Sequence, residues 1–179
     1  MRPATIARNY AEALFELAKR AGDLGGHGAL IQGVADAVRR DSKLRAFLET
    51  PRIDAARKNE IIAKALARKA PPKFVRFMEA LVRNRRQMLV PDIAIEYMDL
   101  VDTAENRMHA NVTVVREADE KMRKLIADRL SKTFDKTVIP HLTVDERILG
   151  GVVVRVGDTV MDGSARRKLA TLRQRMLAR

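Results

Sequence analysis

The stretch of sequence that decides the fold reads Ile148-Leu-Gly-Gly-Val-Val-Val-Arg-Val-Gly-Asp-Thr-Val-Met-Asp-Gly-Ser164. It holds the longest β-branched run in a chain that otherwise has helical periodicity, and such residues favour a pleated, half-buried strand. Gly157 and Asp158 interrupt the run before it resumes, which is the spacing of a tight β-hairpin. We expect Gly157 to take a positive φ angle in this turn. The predicted register pairs Val156 with Thr159 and Val154 with Met161.

A basic helix is predicted directly after the hairpin. Asp162-Gly163-Ser164 ends the second strand, and the Ser164 hydroxyl is a good helix N-cap. From Arg166 onward the chain carries basic residues and no acidic one. Such a helix suits an acidic helical partner or nucleic acid, or simply presents a solvated face. Its predicted apolar positions are Leu169, Leu172 and Met176.

Composition narrows the classes of function. The 179 residues suit one domain or two small ones. The absence of Cys excludes a disulfide framework, a thiolate metal site and a thiol nucleophile. No apolar run approaches the roughly 20 residues of a spanning helix, and neither a signal peptide nor a long transit peptide is evident, so we expect a bacterial or processed chain. The formal net charge of +12 indicates an anionic partner or only solubility, while the lack of Trp weakens any base-stacking platform.

The first hundred residues have the periodicity of short amphipathic helices joined by short connections. This pattern predicts a compact six-helix bundle. Gly22 is expected to end the first helix, and Gly25-Gly26-His27-Gly28 to form a loop before the second. The other predicted start signals are Asp41 or Ser42 for the third helix, Asp54 for the fourth, Pro71-Pro72 for the fifth and Pro91 for the sixth.

Strand patterning begins near residues 106–111 and marks a domain boundary. Strands are predicted at Asn111–Val115 and Val138–Val144, with a helix at Ala118–Thr133 between them. Pro140 indicates an edge strand or a bulge. We therefore predict a mainly α chain with a smaller α+β part: a six-helix bundle at 1–107 and a small α/β domain containing the hairpin at 108–179.

No catalytic, cofactor-binding or metal-binding constellation emerges from the sequence. His27, His109 and His141 are far apart and show no metal-ligand spacing, so each is expected in a loop or on the surface. Asp145-Glu146 is expected to cap or solvate a turn. Gly150-Gly151 leads into a strand rather than a helix, which indicates a bulge or a close backbone approach rather than a phosphate loop.

Three segments together resemble one family, the delta subunit of ATP synthase, whose mitochondrial relative is the oligomycin-sensitivity-conferring protein. They come in family order and span nearly the whole chain. The N-terminal segment is Ala7-Arg8-x-Tyr10-Ala11-x-Ala13-Leu14-Phe15-x-Leu17-Ala18. The middle segment is Phe77-Met78-x-x-Leu81-x-x-Asn84-x-Arg86-x-x-x-Val90-Pro91-x-Ile93. The C-terminal segment runs from Val144-Asp145 through Gly150-Gly151 to Asp162-Gly163-Ser164, followed by Arg166 and Leu169.

The resemblance implies a non-catalytic stator subunit of the proton-translocating ATP synthase. In that family the N-terminal bundle holds the N-terminal helices of the alpha subunits on its first and fifth helices, and the C-terminal domain joins the b subunits of the peripheral stalk. The implied location is peripheral, at the cytoplasmic side of a bacterial inner membrane. The partner-binding positions carried over by the resemblance are Tyr10, Ala13, Leu14, Leu17, Phe77, Met78 and Leu81. The structural motif positions carried over are Gly150, Gly151, Arg155, Gly157, Asp158, Asp162, Gly163 and Ser164.

Alternatives remain open at this point. From the residues alone, the stripe that contains Tyr10, Ala13, Leu14 and Leu17 is most simply core. A basic nucleic-acid-binding or ribosome-associated protein is the rival function, and an enzyme with an unrecognised site is a third. The chain also departs from the family pattern at Arg76 and Arg85, where Asn and Gly are common.

Overall fold

The computed structural model describes residues 3–67, 69–148, 150–157, 159–167, 169 and 176. The chain is mainly helical with a small four-stranded sheet. It divides into two compact units, Met1–Val101 and Asp102–Arg179. Asp102, the first residue of the second unit, forms ion pairs with Arg107 and His109 of the same unit.

The first unit is built from helices joined by short connections. Aspartate side chains cap three of them: Asp23 accepts from the backbone amide of Gly26, Asp41 from Leu44, and Asp54 from Arg57. A 3-10 turn at Gln87–Leu89 precedes the last helix. The helices are α1 (Pro3–Ala21), α2 (Leu24–Arg40), α3 (Ser42–Glu49), α4 (Ala55–Leu66), α5 (Pro72–Arg83) and α6 (Val90–Ala104).

The predicted loop at 25–28 is wrong, since these residues form the first turns of α2. The Asp23 carboxylate caps the helix start, and this overrides the low helix propensity of three glycines. His27 is only 1% exposed, so its predicted loop or surface position is also wrong. Its Nδ1 donates to the Asp23 carbonyl at 2.8 Å, and its ring packs edge-on against Phe74.

The core of the first unit lies where α1, α2, α5 and α6 meet. Tyr97 is fully buried there, and its hydroxyl donates to the Leu24 carbonyl oxygen at 2.8 Å. Gly28 lets α2 approach this ring closely, because a Cβ atom at residue 28 would lie 3.3 Å from Tyr97 Cε1. The large side chains of this core include Leu14, Ile31, Phe74, Leu81 and Ile93.

The second unit is a four-stranded sheet with one long helix between its first two strands. Its elements are β1 (Arg107–Val114), α7 (Glu120–Phe134), β2 (Thr137–Val144), a 3-10 turn (Glu146–Ile148), β3 (Val152–Val156) and β4 (Thr159–Asp162). The strand order is β2-β1-β3-β4, with β1 and β2 parallel and the other pairs antiparallel. Pro140 lies on the edge strand β2, as predicted.

The hairpin register predicted from the sequence is confirmed. Val156 pairs with Thr159 and Val154 with Met161, and Gly157 has a φ angle of +54°. Strand β1 begins at Arg107, four positions before the predicted Asn111, because residues 107–111 pair with 137–141 of β2. The face that α7 covers is apolar, and its buried members are Ala110, Val112, Val114, Val138 and Val154.

Among the described residues, none of the helices is both long enough and apolar enough to cross a membrane.

Candidate partner-binding surface

The α1–α5 face is the surface formed by Tyr10, Ala13 and Leu17 of α1 together with Phe77 of α5. Positions 10, 13 and 17 fall on one stripe of a helix. Ala13 is exposed, and the other three side chains are half-buried. The Tyr10 and Phe77 rings lie edge-on, with centroids 6.3 Å apart and planes at 72°. The face is therefore largely apolar and only partly covered by its own chain.

Three further predicted contact residues lie beneath this face. Leu14 and Leu81 are completely buried, and Met78 is 3% exposed. They belong to the core of the first unit, as the simpler interpretation of the stripe expected. Since a docked partner could not reach them without displacing the surface residues, their role in the free chain is to support Tyr10 and Phe77 from below.

Small residues on α1 explain how it packs so closely. Ala7, Ala11 and Ala18 are all completely buried, so most of the small side chains of this helix face the chain's own core. Ala13 is the exception, because it points away from that core. A large side chain from a second protein could therefore pack over Ala13 between its neighbours Tyr10 and Leu17.

A hydrogen bond fixes the end of the α1–α5 face. Asn84, the residue after α5, donates from Nδ2 to the Tyr10 hydroxyl oxygen at 3.0 Å. Arg76 is exposed on α5 and directly precedes Phe77 in the sequence. The positive charge that departs from the family pattern thus borders the apolar face rather than interrupting it.

The glycine motif of the second unit brings two backbones together. Gly151 has a φ angle of +84°, and a Cβ atom there would lie 2.4 Å from the Gly163 carbonyl oxygen. Two hydrogen bonds join the same segments: the Gly163 amide donates to the Val152 carbonyl at 2.9 Å, and the Ala165 amide donates to the Gly150 carbonyl at 2.9 Å. The predicted close backbone approach is thus present.

Asp162 and Ser164 then start the next helical turn. The Asp162 carboxylate accepts from the Ser164 amide at 2.9 Å, and the Ser164 side chain accepts from the Arg167 amide at 3.2 Å. The hydrogen bonds that Ser164 donates hold the pKa of Asp162 below its usual value. Arg155 is exposed on β3. Asp158, predicted as a motif residue, and Leu172, predicted as an apolar position of the last helix, lie outside the described residues.

Two of the clefts formed by the described residues were not predicted from the sequence. The first is a mostly apolar cleft of about 410 Å³ in the first unit, lined by residues of α2, α3, α4 and α5 that include Val34, Ile62 and Met78. The second, of about 600 Å³, lies between the start of α7 and Gly150-Gly151. Small exposed residues on facing helices, Gly33 and Ala65, are the signal that could have indicated the first cleft.

Within the described ranges, no group of three or more His, Cys, Asp or Glu side chains is arranged to hold a metal ion. The acidic pair Asp145-Glu146 lies at a turn, where Asp145 accepts from the Arg147 amide at 3.0 Å.

Comparisons with known proteins agree with this geometry. Residues 6–176 match the family model described as ATP synthase delta (OSCP) subunit. A protein named ATP synthase subunit delta from Gemmatimonas aurantiaca is 58% identical over 172 residues, covering 96% of this chain and 93% of the relative. A protein of the same name from Desulforamulus reducens is 32% identical over 174 residues, covering 97% of this chain and 96% of the relative.

The fold is also found in a solved structure. A chain of the mitochondrial ATP synthase hexamer of Toxoplasma gondii, determined by cryo-electron microscopy, superposes with a TM-score of 0.65 at 20% identity, covering 97% of this chain and 98% of that one. At this identity the likeness concerns the fold alone. The family match over nearly the whole sequence, with two relatives above 30% identity, decides the assignment: this chain belongs to the ATP synthase delta (OSCP) subunit family.

Proposed function

We propose that this chain is a non-catalytic stator subunit of a proton-translocating ATP synthase, and that it links the alpha subunits of the catalytic head to the b subunits of the peripheral stalk. The observation that carries the proposal is the α1–α5 face, which belongs to a chain of the delta family and leaves Ala13 exposed between two half-buried apolar side chains. We assign this face to an N-terminal helix of an alpha subunit.

The mechanical task explains why the face is apolar. A stator must hold the head against the torque of the rotor, so its contacts need long residence times more than fast association. Apolar burial lengthens residence, whereas exposed charges mainly change the association rate and lose strength in salt. Tyr10, Leu17 and Phe77 supply such a surface, and the hydrogen bond from Asn84 to Tyr10 fixes its shape in advance.

The helices α1–α6 form the head-binding domain in this proposal, as a six-helix bundle. Leu14, Met78 and Leu81 make it rigid from within, because all three are buried in its core. A rigid surface loses less conformational entropy when its partner docks, which favours tight binding.

The second unit contacts the b subunits in this proposal. Its described surface includes exposed apolar side chains on α7, since Met122 and Leu125 are 48% and 45% exposed. They lie on the same long helix whose Ile126 and Leu130 pack on the sheet. Membrane association, at the cytoplasmic side of a bacterial inner membrane, then arises only through the complex.

A peptide titration tests the head-binding assignment. The probe is a synthetic peptide with the sequence of an alpha-subunit N-terminus, titrated into the full chain by calorimetry. Ala13→Asp places a carboxylate at the centre of the α1–α5 face, and burying it without a partner weakens binding by about 100-fold or more. The matched control is Ala46→Asp, the same change at an exposed position of α3, which leaves the affinity unchanged.

Circular dichroism first establishes that both variants are folded. Equal affinity of both variants and the unmodified chain contradicts the assignment of the partner to this face. A steep loss of affinity with salt, together with a loss on Arg39→Glu at the exposed side of α2, shows instead that electrostatic attraction dominates the contact.

A further inference from the structure

Two histidines that are distant in sequence meet on the sheet of the second unit. His109 lies on β1 and His141 on β2, and the Nδ1 atom of the first is 2.8 Å from the Nε2 atom of the second. Their ring centroids are 4.9 Å apart. The other ring nitrogen of His109, Nε2, is 3.0 Å from a carboxylate oxygen of Asp102. Asp102, His109 and His141 thus form a continuous line of polar contacts.

The pair lies on the face of the sheet opposite α7. Ala110 and Val112 of β1 point into the core beneath α7, so the alternate residues of that strand point to the other face. In the parallel register Asn111 pairs with His141, and His109 pairs with Ile139. Both histidine side chains are exposed, which leaves the space around the two facing nitrogens open to solvent.

We propose that His109 Nδ1 and His141 Nε2 form a binding site for one first-row divalent transition-metal cation, such as Cu²⁺ or Zn²⁺. Imidazole nitrogen suits these cations, whereas Mg²⁺ and Ca²⁺ prefer oxygen ligands. Asp102 fixes the orientation of His109, because its carboxylate accepts the Nε2 proton and so leaves Nδ1 free to bind a metal.

The distances allow a metal with little movement. Two nitrogens that each bind zinc at about 2.05 Å with a tetrahedral angle are about 3.3 Å apart, so the two rings need to separate by about half an ångström. In the free chain the Nε2 proton of His141 lies between the two facing nitrogens. When the metal binds, that single proton moves to His141 Nδ1, since Nε2 must be unprotonated. The metal therefore replaces the proton that the two facing nitrogens otherwise share.

The site has two protein ligands, and water completes the coordination. As no cluster of three or more candidate ligand side chains occurs in the described part of the chain, the affinity is that of an open surface site rather than a structural zinc site. The neighbouring charges are already paired in part: Arg107 contacts Asp102 at 3.4 Å and Glu105 at 2.7 Å. Arg155 of β3 pairs in register with Asn111 on the same face, and its charge opposes cation binding.

Calorimetric titration of the full chain, produced without a histidine tag, tests the site with CuCl₂ and ZnCl₂ as probes. We expect one metal per chain. His109→Gln and His141→Gln each weaken binding by at least about tenfold, and Asp102→Asn weakens it by about tenfold because the orienting carboxylate is lost. MgCl₂ produces no binding heat.

An internal control comes from the third histidine of the chain. His27 is buried in the first unit and cannot coordinate added metal, so in a histidine-selective NMR spectrum of the unmodified chain Cu²⁺ broadens the signals of His109 and His141 more strongly than that of His27. This measurement decides the matter even if a substituted chain fails to fold. Equal broadening of all three signals, no metal binding, or unchanged binding in folded His109→Gln and His141→Gln variants overturns the proposal.

Discussion

Asn84 and Tyr10 are 74 positions apart in the sequence, yet the Asn84 amide nitrogen lies 3.0 Å from the Tyr10 hydroxyl oxygen. The contact joins the C-terminal end of α5 to the middle of α1, beside the edge-on contact of Tyr10 with Phe77. Both interactions lie at the surface of the first unit. They determine the shape of the α1–α5 face before any partner is bound.

Tyr10→Phe separates the hydrogen bond from the ring contact. The change removes the hydroxyl acceptor and keeps the ring, so we expect a loss in the free energy of unfolding of less than about 1 kcal/mol. Phe77→Ala removes a half-buried ring and costs more, about 2–3 kcal/mol. Urea unfolding of both variants measures the difference. A larger loss for Tyr10→Phe would show that the hydrogen bond, not ring packing, joins the two helices.

The turn after α5 explains a departure from the family pattern. The Arg85 amide donates to the Val82 carbonyl at 3.0 Å, and the Arg86 amide donates to the Leu81 carbonyl at 2.7 Å. This is the Schellman arrangement, whose key residue is left-handed and is most often glycine. Arg85 occupies that position with a φ angle of +57°. The glycine common in the family is therefore the residue that this backbone favours.

Arg85→Gly tests this explanation. Glycine adopts the left-handed conformation without a steric penalty, so we expect the variant to be more stable by up to about 1 kcal/mol. Arg86→Gly is the matched control, because the neighbouring exposed Arg86 has a φ angle of −113° and gains nothing from glycine. Thermal melting of both variants measures the effect. A destabilised Arg85→Gly variant would mean that the arginine side chain makes a stabilising contact that outweighs the backbone strain.

Local patterns predicted local structure well, while contacts between distant segments were not predictable. The valine run and its two-residue interruption were enough for the hairpin register of Val154 with Met161, because strand alternation and turn length leave few alternatives. The same local reasoning failed at residues 25–28, where glycine content indicated a loop and the Asp23 cap produced a helix. One cap contributes about 1 kcal/mol and each glycine costs about as much, so the burial of α2 residues such as His27 and Ile31 offsets the rest.

The sequence alone could not distinguish the buried face of α1 from its exposed face. Tyr10, Leu14 and Leu17 share one apolar stripe, and only the packing of neighbouring helices determines that Leu14 is buried and Tyr10 is half-exposed. The meeting of His109 and His141 likewise depends on the parallel pairing of β1 with β2, which no short-range signal specifies. Tertiary contacts of this kind cannot be predicted from local sequence patterns.

Two glycines of the hairpin region should differ in their sensitivity. Gly157 needs a positive φ angle but has open space around it, so Gly157→Val costs about 1–3 kcal/mol through backbone strain. Gly151 has the same strain and also faces the Gly163 carbonyl oxygen, so even Gly151→Ala costs more, about 2–4 kcal/mol. Gly33→Ala, in an open position of α2, is the control and stabilises by about 0.5–1 kcal/mol. Denaturant unfolding gives the order, and equal losses at Gly151 and Gly157 would contradict the close approach.

A buried lysine of α4 forms hydrogen bonds with the end of α3. Lys58 is only 5% exposed. Its ammonium group donates hydrogen bonds to the carbonyl oxygens of Leu48 and Thr50, both at 2.7 Å. These carbonyls lie at the C-terminus of α3, where a cation is favourable. Lys58→Met leaves them without this partner and costs about 2–4 kcal/mol, whereas Lys43→Met at an exposed position stays within about 0.5 kcal/mol. Chemical denaturation of both variants checks the contrast, and an unaffected Lys58→Met variant would show that water replaces the ammonium group at no cost.

The carboxylate of Asp162 gives the second unit a defined response to acid. The hydroxyl and backbone amide of Ser164 donate to it and hold its pKa below the usual value of 3.8. Because the folded-state pKa is the lower one, the stabilisation is fully present above the unfolded-state value and is lost as the pH falls through the folded-state value. Asp162→Asn should therefore be less stable than the unmodified chain at neutral pH, with a gap in melting temperature that narrows below about pH 4. A gap that stays constant across this range, measured by circular dichroism melts, would show that the ionised carboxylate does not secure the turn before Ser164.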